Sequence, residues 1–144
     1  MQTEVIEIRT GGREAVVALD GEIDRFLAAA DARDGLLSVW VPHATAGLAV
    51  IETGAGSDAD LLAALRDLLP AHDKWRHRHG SAGHGRDHVL PALIAPSLAV
   101  PVLDGRPALG TWQSVCLVDT NRDNPVRSVR LSFLASPVIT VSGT

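Results

Sequence analysis

The 144-residue chain has no tyrosine, and its two phenylalanines and three tryptophans make it only 3% aromatic. With 46% hydrophobic residues, its core must be built mainly from Val, Leu, Ile and Ala. Trp40, Trp75 and Trp112 then stand out, either as core anchors whose indole N–H needs a partner or as walls of a site. A single cysteine, Cys116, excludes an intrachain disulfide; in the apolar run SVCLV, with no basic neighbour to favour a thiolate, it reads as a small buried residue. There is no run of Lys or Arg, and the net charge is −4, which argues against a sequence-independent nucleic-acid surface. No apolar stretch approaches a membrane span, and the start MQTEVIEIRT does not read as a secretory leader, so no membrane partner is expected and the expected compartment is the cytoplasm. A Walker lysine, a GxGxxG and any Ser/His/Asp or Cys/His nucleophile arrangement are also missing.

What the chain does have is histidine. His72, His77, His79, His84 and His88 all fall in one glycine-rich stretch, AHDKWRHRHGSAGHGRDHV, and the sixth, His43, lies in VPHATAGLAVIE. Imidazole binds transition metals and moves protons near neutral pH. The same stretch equally has the composition of an exposed polar loop.

The length fits a single domain over residues 1–144. TEVIEIRT, then Gly11-Gly12, then EAVVAL reads as a β-hairpin. Asp20 is placed to cap a helix carrying Ile23, Phe26, Leu27 and Ala30 on one face, with Gly35 at the following turn. LLSVWV and LAVIE read as strands. Ser57 and Asp60 resemble a capping box ahead of a leucine helix through Leu61, Leu65 and Leu69 that ends at Pro70. A short helix over DHVLPALIA, with Pro91 near its first turn, leads to strand SLAVPVL, a turn at Asp104-Gly105, strand TWQSVCLVD and a last strand VRSVRLSFLA with Val129, Leu131 and Phe133 on one face. The tail SPVITVSGT receives no assignment. Strands outnumber helices and hairpin-type turns outnumber crossovers, so the expected fold class is α+β with a mostly antiparallel sheet and two main helices.

Several residues are candidates for chemistry. His43 opens HATAG, whose small residues let backbone amides approach a bound group, though a histidine at a strand end is also commonly just solvated. Glu52 precedes the turn TGAGSD, which can present amides and a helix N-terminus to an anion. Asp58 and Asp60 fall in the first helical turn, where capping and the helix dipole favour negative charge and suffice to explain Asp60. His77 and His79 share a direction on an extended segment, His84 and His88 on a helical turn. Trp112 and Gln113, at a strand start, offer an aromatic wall and an amide, or simply a core tryptophan.

Taken in order, VPHATAGLAVIE, SDADLLAAL, a histidine loop ending RDHV, SLAVPVLDGRPALGTWQSVCLVD and a closing basic strand resemble the YjbQ-like family, known as secondary thiamine-phosphate synthases, over roughly residues 3 to 134. The chain departs from the family pattern at Ala44, where a threonine or serine is usual, and at Ile51, where an asparagine precedes the glutamate. His84 and Gly85 stand in a loop that usually holds an asparagine. Trp75 best matches a tyrosine two residues before the loop's first histidine, which points to His77, with His79 as competitor. The resemblance implies a curved sheet and a homotrimer with the histidines near a subunit boundary. It also implies a reaction joining a pyrimidine methyl diphosphate to a thiazole phosphate with loss of pyrophosphate. A divalent metal, zinc or magnesium, and nearby Arg86 or Arg127 would stabilise the departing diphosphate. On this basis His43, His77 and His88 are expected to converge as metal ligands. Glu52 is expected to border them as a proton acceptor and Asp58 as a residue orienting an imidazole, with Trp112 and Gln113 completing the site. The alternatives are a metal- or ligand-binding trimer without turnover and a metal-assisted phosphohydrolase.

Overall fold

Alternation of buried and exposed residues along the strands is what fixes their two faces. A computed structural model describes residues 1–72 and 74–137. In it the chain runs β1 (Gln2–Arg9), β2 (Ala15–Ala18), α1 (Asp20–Ala29), β3 (Gly35–Trp40), β4 (Ala46–Ile51), α2 (Ser57–Leu68), the one-turn helices α3 (His84–Asp87) and α4 (Leu90–Leu93), β5 (Ser97–Leu103), β6 (Arg106–Pro107), β7 (Ser114–Asp119) and β8 (Val126–Ala135). All pairings are antiparallel: β1-β8-β3-β5-β6 form a five-stranded sheet and β2-β7-β4 a three-stranded one. The result is an α+β fold in which curved antiparallel sheet wraps a shared core and α1 and α2 are the two main helices. The tail from residue 138 lies outside the described residues.

The expected hairpin between the first two strands does not form. β1 pairs along its whole length with β8, from Gln2 opposite Phe133 to Arg9 opposite Val126, whereas β2 pairs with β7. Gly11 and Gly12 do take positive φ, but they carry the chain from one sheet to the other. The amides of Thr10 and Gly11 bond the Pro125 carbonyl on the way. The Asp104-Gly105 turn forms as expected, both residues at positive φ between β5 and β6.

Two cores result. Ile6 and Ile8 of β1, Leu37 and Val39 of β3, Val129 and Leu131 of β8, Leu48 of β4 and Leu117 of β7 bury against Ile23, Phe26 and Leu27 of α1. The three-stranded sheet uses its other face as well. Val118 packs with Leu65 of α2, Leu69 just past its end and Leu90 of α4, and half-buried Trp75 and Ile94 close over them. This second core is the floor beneath the histidine stretch. Cys116, fully buried as expected, has its thiol pushed up to about 11 by burial and by the charges of Asp20 and Asp58.

The helix starts differ from expectation. Leu19, not Asp20, is the residue preceding α1, and the Asp20 carboxylate accepts the Val115 amide at 3.1 Å, tying the helix to β7. Gly56 at φ 104 precedes α2 and no side chain caps it, so Ser57 and Asp60 form no capping box. Asp58 and Asp60 remain in the first turn, where the dipole favours them. No helix among the described residues is long and apolar enough to cross a membrane.

Candidate metal centre

The glycine-rich stretch is not an open loop. Trp75 anchors it from below by donating its indole N–H to the Pro70 carbonyl at 2.7 Å. Gly85 lets the returning backbone pass so close that a Cβ there would lie 2.5 Å from the His77 carbonyl and 2.6 Å from the Trp75 Cβ. Gly80, at φ 81, sits against the His84 ring and the Asp123 carboxylate, and a Cβ would approach both within 2.8 Å. The glycines therefore serve close packing rather than mobility.

Packed this way, four imidazoles meet. Ring centroids of His77 lie 4.1 Å from His79, 5.3 Å from His84 and 4.4 Å from His88, and His84 lies 5.0 Å from His88. His77, His79 and His84 each offer a ring nitrogen within 4.8 Å of the others. The Nε2 atoms of His84 and His88 are 3.2 Å apart. His84 Nδ1 is 2.6 Å from an Asp123 carboxylate oxygen, so the proton sits on Nδ1 and the lone pair on Nε2. Asp123 itself is held below the usual carboxylate range by the Ser81 amide and by His84. Burial and mutual repulsion within the cluster pull His77 and His88 below the ordinary imidazole value, favouring the neutral form a metal requires. A cleft of about 350 Å³ is lined by His77, His79 and His84 of this group, together with His72, Arg78 and Ser81.

Behind the rings a buried polar lattice holds the loop. Asp87 accepts the Thr120 hydroxyl at 2.7 Å and the Asn121 side-chain amide at 3.0 Å, and that amide nitrogen lies 3.3 Å from His84 Nδ1. Arg86 bonds Glu14, the Leu69 carbonyl at 3.2 Å and Asp87 at 3.4 Å. Burial pushes the Glu14 carboxyl up, but its bonds to Arg86 and Arg66 outweigh this and hold it below the usual range.

Of the three histidines expected to converge, His77 and His88 are thus brought together, whereas His43 is held elsewhere in the chain. Its Nε2 accepts the Ser128 amide at 2.9 Å, which leaves the proton on Nδ1 and no lone pair free for a metal. Burial and the neighbouring Arg127 guanidinium lower its pKa, against an opposing pull from Asp119. Arg127 is no free anion contact: it is 1% exposed and spent on Asp119, at 2.6 and 2.9 Å, and on the Thr45 hydroxyl. Arg86, 3% exposed, is equally committed. Neither Glu52 nor Asp58 lines the histidine cleft; Glu52 is exposed without a side-chain partner among the described residues, and the Asp58 charge is near enough to Cys116 to help raise its thiol. Trp112 and Gln113 belong to a turn rather than a strand. Trp112 is 74% exposed, and Gln113 folds back to accept the Gly110 amide at 2.8 Å.

Asp119, Asn121 and Asp123, for which the sequence suggests no role, prove central. The segment DTNRDN, from the last residue of β7 into the turn before β8, sends Asp119 to Arg127 near His43 and sends Asn121 and Asp123 to the histidine cluster. Its signal was present as a run of Asn and Asp ending in proline after an apolar strand, a composition that makes side-chain-to-backbone bonds.

The donor set fits a metal ion. Two nitrogens bound to one tetrahedral ion at about 2.0–2.1 Å lie roughly 3.3 Å apart, close to the 3.2 Å between His84 and His88. Each imidazole presented to an ion is typically oriented by a carboxylate on its other nitrogen, the place Asp123 takes at His84.

Known proteins share this chain's sequence and fold. The family model described as UPF0047 protein YjbQ-like matches residues 4–136. A UPF0047 protein of Mycobacterium tuberculosis is 58% identical over 134 residues, covering 93% of this chain and 98% of that protein. Another from Methanocaldococcus jannaschii is 30% identical over 110 residues, covering 76% and 78%. The crystal structure of a hypothetical protein from Aeropyrum pernix K1 superimposes with a TM-score of 0.86 at 30% identity, covering 94% of this chain and all of that one. A Sulfolobus solfataricus P2 protein of unknown function gives the same TM-score at 19% identity, a likeness of fold alone. With a model match spanning nearly the whole chain and relatives this similar, the chain belongs to the UPF0047, YjbQ-like family.

Proposed function

We propose that the histidine cleft is a metal-dependent site for a phosphorylated small molecule, and that the reaction is a thiamine-phosphate-synthase-like transfer joining a pyrimidine methyl diphosphate to a thiazole phosphate. The observation that carries this is the gathering of His77, His79 and His84 donors within 4.8 Å in a cleft that Arg78 also lines. A bound divalent ion supplies positive charge to a departing diphosphate. The chain's own part is to hold that charge in place and exclude competing contacts. Among the described residues Arg78 spends only its Nε, on the Trp75 carbonyl at 3.3 Å, which leaves both Nη groups to face an anion. His77 and His79, on the exposed side of the cluster, are reachable from the cleft. We place the activity in the cytoplasm.

We also propose the homotrimer. The outer face of the five-stranded sheet carries Val5, Leu36, Trp40 and Leu134, each more than 40% exposed, with Ser38, Ala99 and Pro101 beside them in register and Arg130 as a charged neighbour. Glu7 and Arg9 share this face on edge strand β1, and the apolar patch beside them on β8, β3 and β5 is suited to a second copy.

The test is turnover by metal-loaded full-length protein given both substrates, with His77→Ala and Arg78→Ala variants. Joined product, falling about 10²-fold when Arg78 is removed, is the expected result. Free pyrophosphate without joined product would replace transfer with hydrolysis. Metal bound without any turnover would leave a binding protein.

A further inference from the structure

The four imidazoles decide which ion the site takes. Magnesium asks for oxygen ligands in near-octahedral geometry and keeps several waters, whereas imidazole suits zinc, nickel, copper and cobalt. The carboxylate nearest the cluster is not available as a ligand. Asp123 accepts His84 Nδ1 at 2.6 Å and the Ser81 amide at 3.1 Å, so it orients a ligand instead of supplying one. Asp87, 1% exposed, is consumed by Thr120, Asn121 and Arg86.

From this we infer that the loop is a late-transition-metal site of zinc type, made by His77, His79, His84 and His88, with Asp123 as the residue that positions His84. It rests on the metal-dependent reading above and narrows it: magnesium is excluded, and one ligand, His84, comes from a position where the family resemblance does not call for histidine. The His84–His88 contact supports the assignment. With the His84 proton on Nδ1, its Nε2 is an acceptor, so in the metal-free protein His88 must donate from its own Nε2 across the 3.2 Å gap. His84 Nε2 and His88 Nε2 are the atoms that would hold an ion there, with the His88 proton carried on Nδ1 instead.

The experiment is metal titration of chelator-stripped, full-length protein, read by competition with a chromophoric chelator for zinc and by the visible spectrum for cobalt. Expected are one zinc per chain, an intense low-coordinate cobalt spectrum, and no measurable displacement by millimolar magnesium. His84→Ala removes a packed ring as well as a donor, so exposed His79→Ala is the companion variant; both should weaken zinc by 100-fold or more. Asp123→Asn should weaken it by about 10–100-fold, and His72→Ala should leave it unchanged. Magnesium binding as tightly as zinc, zinc affinity unaltered in both histidine variants, or no metal bound at all overturns the inference. Turnover is scored separately. Zinc bound as expected with no joined product removes the transferase reading and leaves this one standing; turnover with magnesium and without need of His79 or His84 does the reverse.

Discussion

Glu14 is the carboxylate on which the loop's foundation depends. Its side chain is 6% exposed and meets Arg86, itself buried, and Arg66 at 2.6 Å, so it joins the β2 approach, the α2 helix and α3. Removing one member of a buried pair leaves the other charge without compensation, so Glu14→Gln should cost about 3 kcal/mol in chemical denaturation at pH 7. The pH dependence follows from the sign of the shift. A folded-state pKa held below the unfolded value contributes stability that is present above the unfolded value, near 4.3, and is lost as pH falls through the lower folded value. The gap between wild type and Glu14→Gln should therefore narrow on acidification below about pH 4.5; a gap independent of pH would show that the ion pair is not its source. His43 makes a contrasting case. Because its Nε2 is occupied by the Ser128 amide, His43→Ala should cost about 1–3 kcal/mol through the orphaned N–H and leave zinc stoichiometry intact. Loss of the metal in that variant, with the fold preserved, would restore His43 as a ligand.

At the scale of elements, the histidine stretch is a knot tied by two glycines rather than a loose connector. Gly85→Ala places a methyl group 2.5 Å from the His77 carbonyl, which no small adjustment relieves because the obstacle is backbone. It should lower zinc affinity at least about 10-fold, as changes that disturb ligand orientation do, while the far-ultraviolet dichroism of sheet and long helices stays near wild type. A variant binding zinc normally would mean the loop tolerates a wider path. By contrast Asp60→Ala, on an exposed first turn without a capping bond, should change stability by only about 0.3–1 kcal/mol through the dipole. The local elements were legible in the sequence because their signals are local: the Ile23, Phe26, Leu27 stripe, the alternation of β8 and the Asp104-Gly105 turn all appear where periodicity and turn chemistry put them. The β1–β2 hairpin was not, since β1 finds its partner more than a hundred residues away in β8, and adjacency in sequence carries no information about that choice. The site divides the same way. His77 and His88 could be picked from the loop, but the displacement of His43 and the part played by Asp123 depend on how β7, β8 and the loop come together, which spacing along one chain does not encode.

For the whole molecule, the sheet that closes the core on one face leaves the other unfinished. Leu36 of β3 stands opposite Leu134 and Pro101, and Trp40 opposite Arg130 and Ser97, so apolar and small side chains run across three strands in register. Nothing among the described residues covers them: Leu36 is 41% and Trp40 43% exposed. If this face is where the proposed trimer assembles, charge introduced there should act on assembly before it acts on folding, because the substituted side chains already meet solvent in the single chain. Leu36→Asp combined with Trp40→Asp should turn a three-chain mass in light scattering into a one-chain mass. A melting temperature that rises with protein concentration in the wild type should also become independent of concentration. Zinc affinity separates two consequences of that dissociation. The four histidines lie in one chain and their positioning carboxylate, Asp123, is in the same chain, so monomeric variant protein should still bind one zinc. A wild-type mass of one chain at micromolar concentration would end the trimer proposal, and loss of zinc on dissociation would show that a neighbouring copy completes the site.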